Sequence, residues 1–358
     1  MITKPLKILL ANNTLSLLAG SESWLYTLAI QLKKLGHKVQ CFSPELGIIS
    51  EELDKEGIPS FNQISTSGVK PWTFVLEETP DHNYDVIIAS HNHIVRFLRN
   101  QFPKTPIIST IHGIIHFQNE NGKEVWAPEH PELESGVNQF ISTSEEVQEK
   151  LRKDYNIDSI IIRNFIDLER FYPKRKISKT PKQFLFNSNY HGKDDPEVAV
   201  LREVVKHYGA KLTAIGMNFT QTFDIIKAIQ DADIVVGMGR SVLEGVAAGR
   251  LGIVHGRWGT GGVIHEGSID EIRRFNFSGR NSGGKYLTSE ELIKEIDQFY
   301  NPETINWGVQ YIQREHNAVT AAESFVRIAR DLLGQNIVRE AEPEPRPYRR
   351  QKDVIKNS

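Results

Sequence analysis

Two doubly wound, Rossmann-like α/β domains facing each other across a cleft are what the amino-acid sequence predicts. Short apolar runs alternate with amphipathic stretches in two consecutive series, as in parallel α/β sheets. A polar, proline-containing segment divides the series. The 358 residues suit two cores at about 150 residues per domain.

Leu6 to Ala11 is an apolar run of the kind a buried parallel strand shows. Trp24, Leu25, Leu28, Ala29 and Leu32 follow at the spacing of one helix face. Ser21 stands where it can cap that helix, and Gly36 where a left-handed residue ends it. Val39 to Phe42 resumes as a strand, and a strand–helix–strand unit of this length implies a right-handed parallel crossover. Strands are expected next at Asp85–Ala89, Ile107–Thr110, Gln139–Ser142 and Ile160–Ile162, with helices around His93–Asn100 and Ser144–Lys153. These complete an N-terminal domain over 1–170. Phe171–Lys182 holds two prolines and five basic residues and reads as a linker over 171–182.

The second series runs through strand Gln183–Phe186, helix Pro196–Tyr208, strand Lys211–Ile215, helix Thr222–Gln230, strand Asp233–Val236, helix Ser241–Ala248 and strand Leu251–Val254, within a C-terminal domain over 183–317. Ala318–Leu333 is a closing helix, assigned 318–334 and expected to pack back on the N-terminal domain. Residues 335–358 mix both charges with three prolines and are expected to be disordered.

Composition excludes several classes. Forty-three Lys+Arg against 45 Asp+Glu give a formal charge of −2, so no bulk positive field asks for nucleic acid. One cysteine, Cys41, allows neither a disulfide framework nor a thiolate metal cluster within the chain. No apolar run approaches the ~18–20 residues of a membrane span, and the apolar stretch in MITKPLKILLANN is too short for a signal peptide. A cytoplasmic protein is expected. Arg96, Arg99 and Lys104 leave at most peripheral contact with lipid headgroups.

Open parallel sheets bind ligands beyond the carboxyl ends of their strands, so the loops leaving strands carry the chemistry. Gly237-Met238-Gly239-Arg240-Ser241 leads from a strand into a helix containing Glu244. Its glycines let backbone N–H groups approach a phosphate at a helix N-terminus, and Arg240 adds a planar fork suited to a diphosphate. Ser241 and Glu244 also have the spacing of a capping box, in which Glu244 only holds the helix start. Gly20 and Ser21 form a second potential phosphate cradle. His112, beside Gly113 at a strand exit, can reach a sugar or move a proton, and Lys193 could neutralise a phosphate. Asp231-Ala232-Asp233 has metal–diphosphate spacing but lies away from the exit loop, and no carboxylate cluster joins His91 and His93; no metal site is expected.

Four segments resemble glycosyltransferase family 4, of GT-B fold, over about Leu6 to Leu333. KILLANN…LAGSESWLYTLAIQLKKLGHKVQCFSP is similar to the family's first strand, donor loop and helix ending in Gly-His-x-Val. IISTIHG matches the acceptor-side segment with its histidine. FISTSEEVQEKL…IIRNFIDLERFYP resembles the junction between domains through Ser144, Asn164, Asp167, Phe171 and Pro173. DADIVVGMGRSVLEGVAAGRLGIV resembles the donor-site strand and helix.

The resemblance implies a retaining glycosyltransferase that needs no metal and no cofactor. It would move a sugar from a nucleoside-diphosphate donor to a glycan, lipid or small-molecule acceptor. His112 then lies near the transferred sugar, and Glu244, matching the second acid of the family's E-x7-E motif, takes the ribose. The donor residues implied are Gly20, Ser21, Lys193, Gly237, Gly239, Arg240, Ser241, Glu244 and Arg257. Three places depart from the pattern: Val236 stands at the first acid's place, Ser188-x4-Lys193 replaces Arg-x4-Lys, and Asn164-Phe165 replaces Asn-Gly at the junction. Arg240 or Arg257 is expected to restore the lost charge, with Arg240→Ala weakening donor binding by ~1–3 kcal/mol. The alternatives are a sugar-nucleotide-binding protein without turnover and another GT-B enzyme such as a nucleotide-sugar epimerase.

Overall fold

A computed structural model describes residues 4–62, 83–118, 124–128, 136–222 and 224–334. The expected tail at 335–358 lies outside the described residues. The first half supplies strands β1 (Lys7–Ala11), β2 (Lys38–Phe42), β3 (Ser60–Phe61), β4 (Val86–Ser90), β5 (Ile107–Ile111), β6 (Ile114–Gln118), β7 (Glu124–Pro128), β8 (Gln139–Ser142) and β9 (Ser159–Ile161). Seven of them form one sheet, in the order β3-β2-β1-β4-β5-β8-β9. Its pairs are parallel, with Leu9 opposite Gln40 on one side and Ile87 on the other. The hairpin β6–β7 stands apart as an antiparallel pair. Helices α1 (Gly20–Lys34), α2 (Ile48–Lys55), α3 (Asn92–Gln101) and α4 (Glu145–Tyr155) accompany this sheet.

The second half contains β10 (Gln183–Asn187), β11 (Lys211–Ile215), β12 (Ile234–Gly237), β13 (Leu251–Gly256) and β14 (Gly259–Val263). These form a five-stranded sheet in the order β11-β10-β12-β13-β14. Only the last pairing is antiparallel. The helices of this half of the chain are α5 (Pro196–His207), α6 (Ile226–Asp231), α7 (Arg240–Ala247), α8 (Ile269–Arg274), α9 (Ser289–Phe299), α10 (Pro302–Glu315) and α11 (Ala318–Gly334).

The predicted pair of doubly wound sheets is thus what the chain adopts. The apolar face of α1 enters the core as its spacing requires, with Leu28 and Leu32 fully buried. Phe325 of α11 meets Trp24 of α1 edge-on, ring centroids 5.6 Å apart, so α11 completes the core under the first sheet. Asp233 gathers the segment between the sheets. It accepts from Arg175 (3.1 Å), the Ser178 N–H (3.0 Å) and the Lys182 N–H (2.9 Å). Burial alone would raise its carboxyl, but these donors outweigh burial and hold it below the usual carboxylate range.

Two local expectations are corrected, and one strand was not foreseen. Ser21 is not the cap of α1; the N-cap is Ala19, and the Ser21 hydroxyl turns to the Glu22 carboxylate at 2.9 Å. Helix α6 begins at Ile226 rather than Thr222, because Asp224 accepts from the Ile226 N–H and starts the turn there. The segment Gly259–Val263, which has too few apolar residues to read as a strand, pairs with β13 as β14.

Two buried histidines are expected to make the fold acid-sensitive. His255 bonds Thr260 Oγ1 and the Glu197 carbonyl, and His316 donates through Nδ1 to the Asn164 carbonyl. Burial pushes both down to about 4. The unfolded chain, titrating near ~6.5, binds more protons between those values, so stability falls as pH drops through that window. About 2 kcal/mol per histidine is expected to disappear between pH 7 and 5. Urea unfolding at the two pH values checks this, with His316→Gln flattening the slope; an unchanged slope in that variant would remove His316 from the account.

Candidate functional site

Strand order reverses between β1 and β4 in one sheet and between β10 and β12 in the other. Ligands of open α/β sheets bind outside the carboxyl ends at such switch points. Both points border one cleft of about 680 Å³, lined from one lobe by Gly20, Ser21, Glu22, His91 and His112 and from the other by Asn187, Gly239, Ser241, Glu244 and Arg257. That volume lies within the ~300–1,000 Å³ of small-molecule sites. A pocket of about 140 Å³ continues it under Leu18 toward Ile215 and Met217, and Arg240 and Glu244 border both spaces.

Two helices begin at the cleft, and neither has a side-chain cap. The N-cap of α1 is Ala19 and that of α7 is Gly239. Their first N–H groups carry the partial positive charge of a helix N-terminus. The turn before α7 depends on glycine: a Cβ on Gly237 would lie 2.7 Å from Ser241 Oγ and 2.8 Å from the Asn187 carbonyl, and Gly239 has φ +54°. The Ser241 hydroxyl donates to the Met238 carbonyl at 2.7 Å and so tightens this turn. Gly20 has nothing within 4 Å of an added Cβ, so open space and not crowding characterises that position.

The capping-box alternative for Ser241 and Glu244 does not form; Ser241 lies inside α7, and Glu244 pairs with Arg240 at 3.4 Å. Nor is the Arg240 fork presented to a diphosphate. Its guanidinium donates to the Phe165 carbonyl, to Thr27 Oγ1 at 3.1 Å and to Glu244, tying the two lobes together at 8% exposure. Burial lowers the Arg240 guanidinium and raises the Glu244 carboxyl, while each partner's charge opposes its shift. Glu244 accepts through Oε1; among the described residues Oε2 has no protein partner.

The other expected cations separate. Lys193 is exposed and does not line the cleft, which corrects its placement there. Arg257 sits at the β13–β14 turn, lines the cleft, and lies over the Trp258 ring at 4.8 Å. Among the described residues no carboxylate pairs with it. Arg280, which sequence reasoning missed, also lines the cleft but is bound to Glu146 of α4.

His112 reaches the cleft as expected. Ser90 Oγ lies 2.8 Å from its Nε2, and the Trp24 ring meets it edge-on at 5.0 Å. The His112 carbonyl accepts from Thr143 Oγ1 at 2.8 Å and Asn276 Nδ2 at 3.1 Å. Among the described residues, His191, Asp195 and Glu197 bring ligand-type atoms within 4.8 Å of one another. They sit at the start of α5, where the helix dipole disfavours a cation, and Ser188 and the Gly192 N–H already engage His191 and Asp195.

Residues 18–170 match the family described as Glycosyltransferase Family 4. No curated protein matches the sequence. A glycosyltransferase structure from Rickettsia africae ESF-5 is similar at 15% identity and TM-score 0.62, covering 93% of this chain and 100% of that one. Sucrose-phosphate synthase from Thermosynechococcus elongatus is similar at 12% identity and TM-score 0.56, over 92% and 99% of the two chains. Anabaena Alr3699/HepE, solved in complex with UDP-glucose, gives 13% identity and TM-score 0.55, over 91% and 100%. The fold and cleft define a GT-B protein. Within that class, residues 18–170 carry the likeness to glycosyltransferase family 4 that its motifs implied.

Among the described residues no helix is long and apolar enough to cross a membrane.

Proposed function

We propose that this protein is a retaining glycosyltransferase that takes its sugar from a nucleoside-diphosphate donor without a metal, and passes it to a glycan, lipid or small-molecule acceptor. The observation that carries the reading is the convergence of two uncapped helix N-termini, α1 and α7, on one cleft whose Arg257 pairs with no carboxylate among the described residues. A departing diphosphate needs fixed positive charge where its own negative charge grows, and amides already in place stabilise it without reorganisation. Glu244 offers Oε2 to the ribose hydroxyls while Arg240 holds its Oε1. His112, fixed by Ser90 and Trp24, faces the transferred sugar from the acceptor lobe.

A second reading has support in one position. Val236, at the place of the family's first acid, is fully buried in β12 and cannot touch a donor. A sugar-nucleotide-binding protein without turnover would tolerate that loss.

Thermal melting with UDP, GDP and ADP at ~100 times Kd should raise the melting temperature by several degrees for the matching base, since saturation adds about 2.7 kcal/mol. NAD should give no shift. UDP-glucose is the first donor to try, and release of UDP from it separates the transferase from the non-catalytic reading. No shift with any nucleoside diphosphate would end both.

A further inference from the structure

The N-cap of α7 and His112 belong to opposite lobes, yet one turn touches both. Asn276 and Phe277, just after α8, adopt successive left-handed conformations with φ +54° and +55°. Such backbone is costly for residues other than glycine and persists where the surroundings hold it. Here the Phe277 carbonyl accepts from the Gly239 N–H at 2.8 Å, at the very start of α7. The Asn276 side chain reaches the other lobe, donating through Nδ2 to the His112 carbonyl at 3.1 Å and accepting through Oδ1 from Asn164 Nδ2 at 2.8 Å. Asn276 also borders the cleft.

We propose that Asn276 is a positioning residue that sets the His112 loop in register with the N-terminus of α7 when the lobes are closed; this rests on the cleft being a donor site. Asparagine suits the place on two counts. It tolerates left-handed backbone better than most side chains, and its amide is both donor and acceptor. Rotating the amide would set its oxygen against the His112 carbonyl, so the two neighbours fix its orientation. An aspartate keeps the shape but loses the donor and repels that carbonyl. A glycine relieves the backbone and removes both bonds.

The test compares Asn276→Asp and Asn276→Gly with the wild-type chain by amide hydrogen exchange over residues 109–114, with and without UDP, and by kcat and KM for UDP-glucose hydrolysis. Exchange over that segment should rise in both variants, and UDP should no longer suppress it. The value of kcat should fall about tenfold while Kd for UDP stays within about twofold, the split expected of lost alignment. Wild-type exchange over 109–114 in Asn276→Gly, which relaxes the turn, overturns the proposal. Should the wild-type chain bind UDP but hydrolyse no donor, the transferase reading fails while the exchange comparison still decides the role of Asn276.

Discussion

Arg240→Ala is expected to lower the melting temperature by at least about 6 °C, the equivalent of about 3–5 kcal/mol for a cooperative unit of this size. The change removes one half of a buried ion pair and leaves the Glu244 carboxylate at 8% exposure without its countercharge. It also strips donors from the Phe165 carbonyl and Thr27. Replacing both partners by apolar side chains, Arg240→Met with Glu244→Leu, should recover most of the loss, because a buried pair gains little over well-packed hydrophobic residues. A double-mutant cycle of melting curves checks the coupling. A single-variant loss below about 1 kcal/mol would show that Arg240 does not hold the lobes together. The sequence alone pointed the same variant at donor affinity; burial between lobes turns it into a stability effect.

Arg257→Ala carries the binding effect instead. We expect Kd for UDP to rise about 10- to 100-fold, the loss of a charge-assisted contact to the diphosphate. Arg257→Lys, keeping the charge but not the planar fork, should fall between. The salt dependence of binding should also flatten in the alanine variant, since an exposed charge acts through a screened field. Melting temperature without ligand should change little, as Arg257 is exposed and its neighbour contact is the Trp258 face. Titration calorimetry with UDP at two ionic strengths reads both effects. An unchanged Kd would leave the helix N-termini to hold the diphosphate unaided and remove Arg257 from the site.

Parts of this molecule are legible because the physics there is local. Leu9 and Ile87 belong to parallel strands buried on both faces, and such strands write themselves as apolar runs. The α1 face is equally plain, since one helical stripe meets one core. The Gly237–Ser241 loop is legible because a tight strand-to-helix turn needs glycine in the sequence. Strand β14 is not, because GTGGV has the composition of a loop and is made a strand by its partner β13. Arg280 is invisible for a similar reason: its place in the cleft depends on Glu146 of a distant helix.

The chain's order of apolar runs and turn residues determined by itself the two layered sheets, the glycine turn before α7 and the exit histidine His112, since each depends on neighbours a few residues away. Which arginine is left exposed at the cleft was decided only in three dimensions. Arg240 and Arg257 each directly follow a glycine, but Thr27 and Phe165 arrive from the other lobe to take up the first and leave the second facing the cleft. Charge pairing over such sequence distances is set by how the lobes close, and no local pattern encodes it.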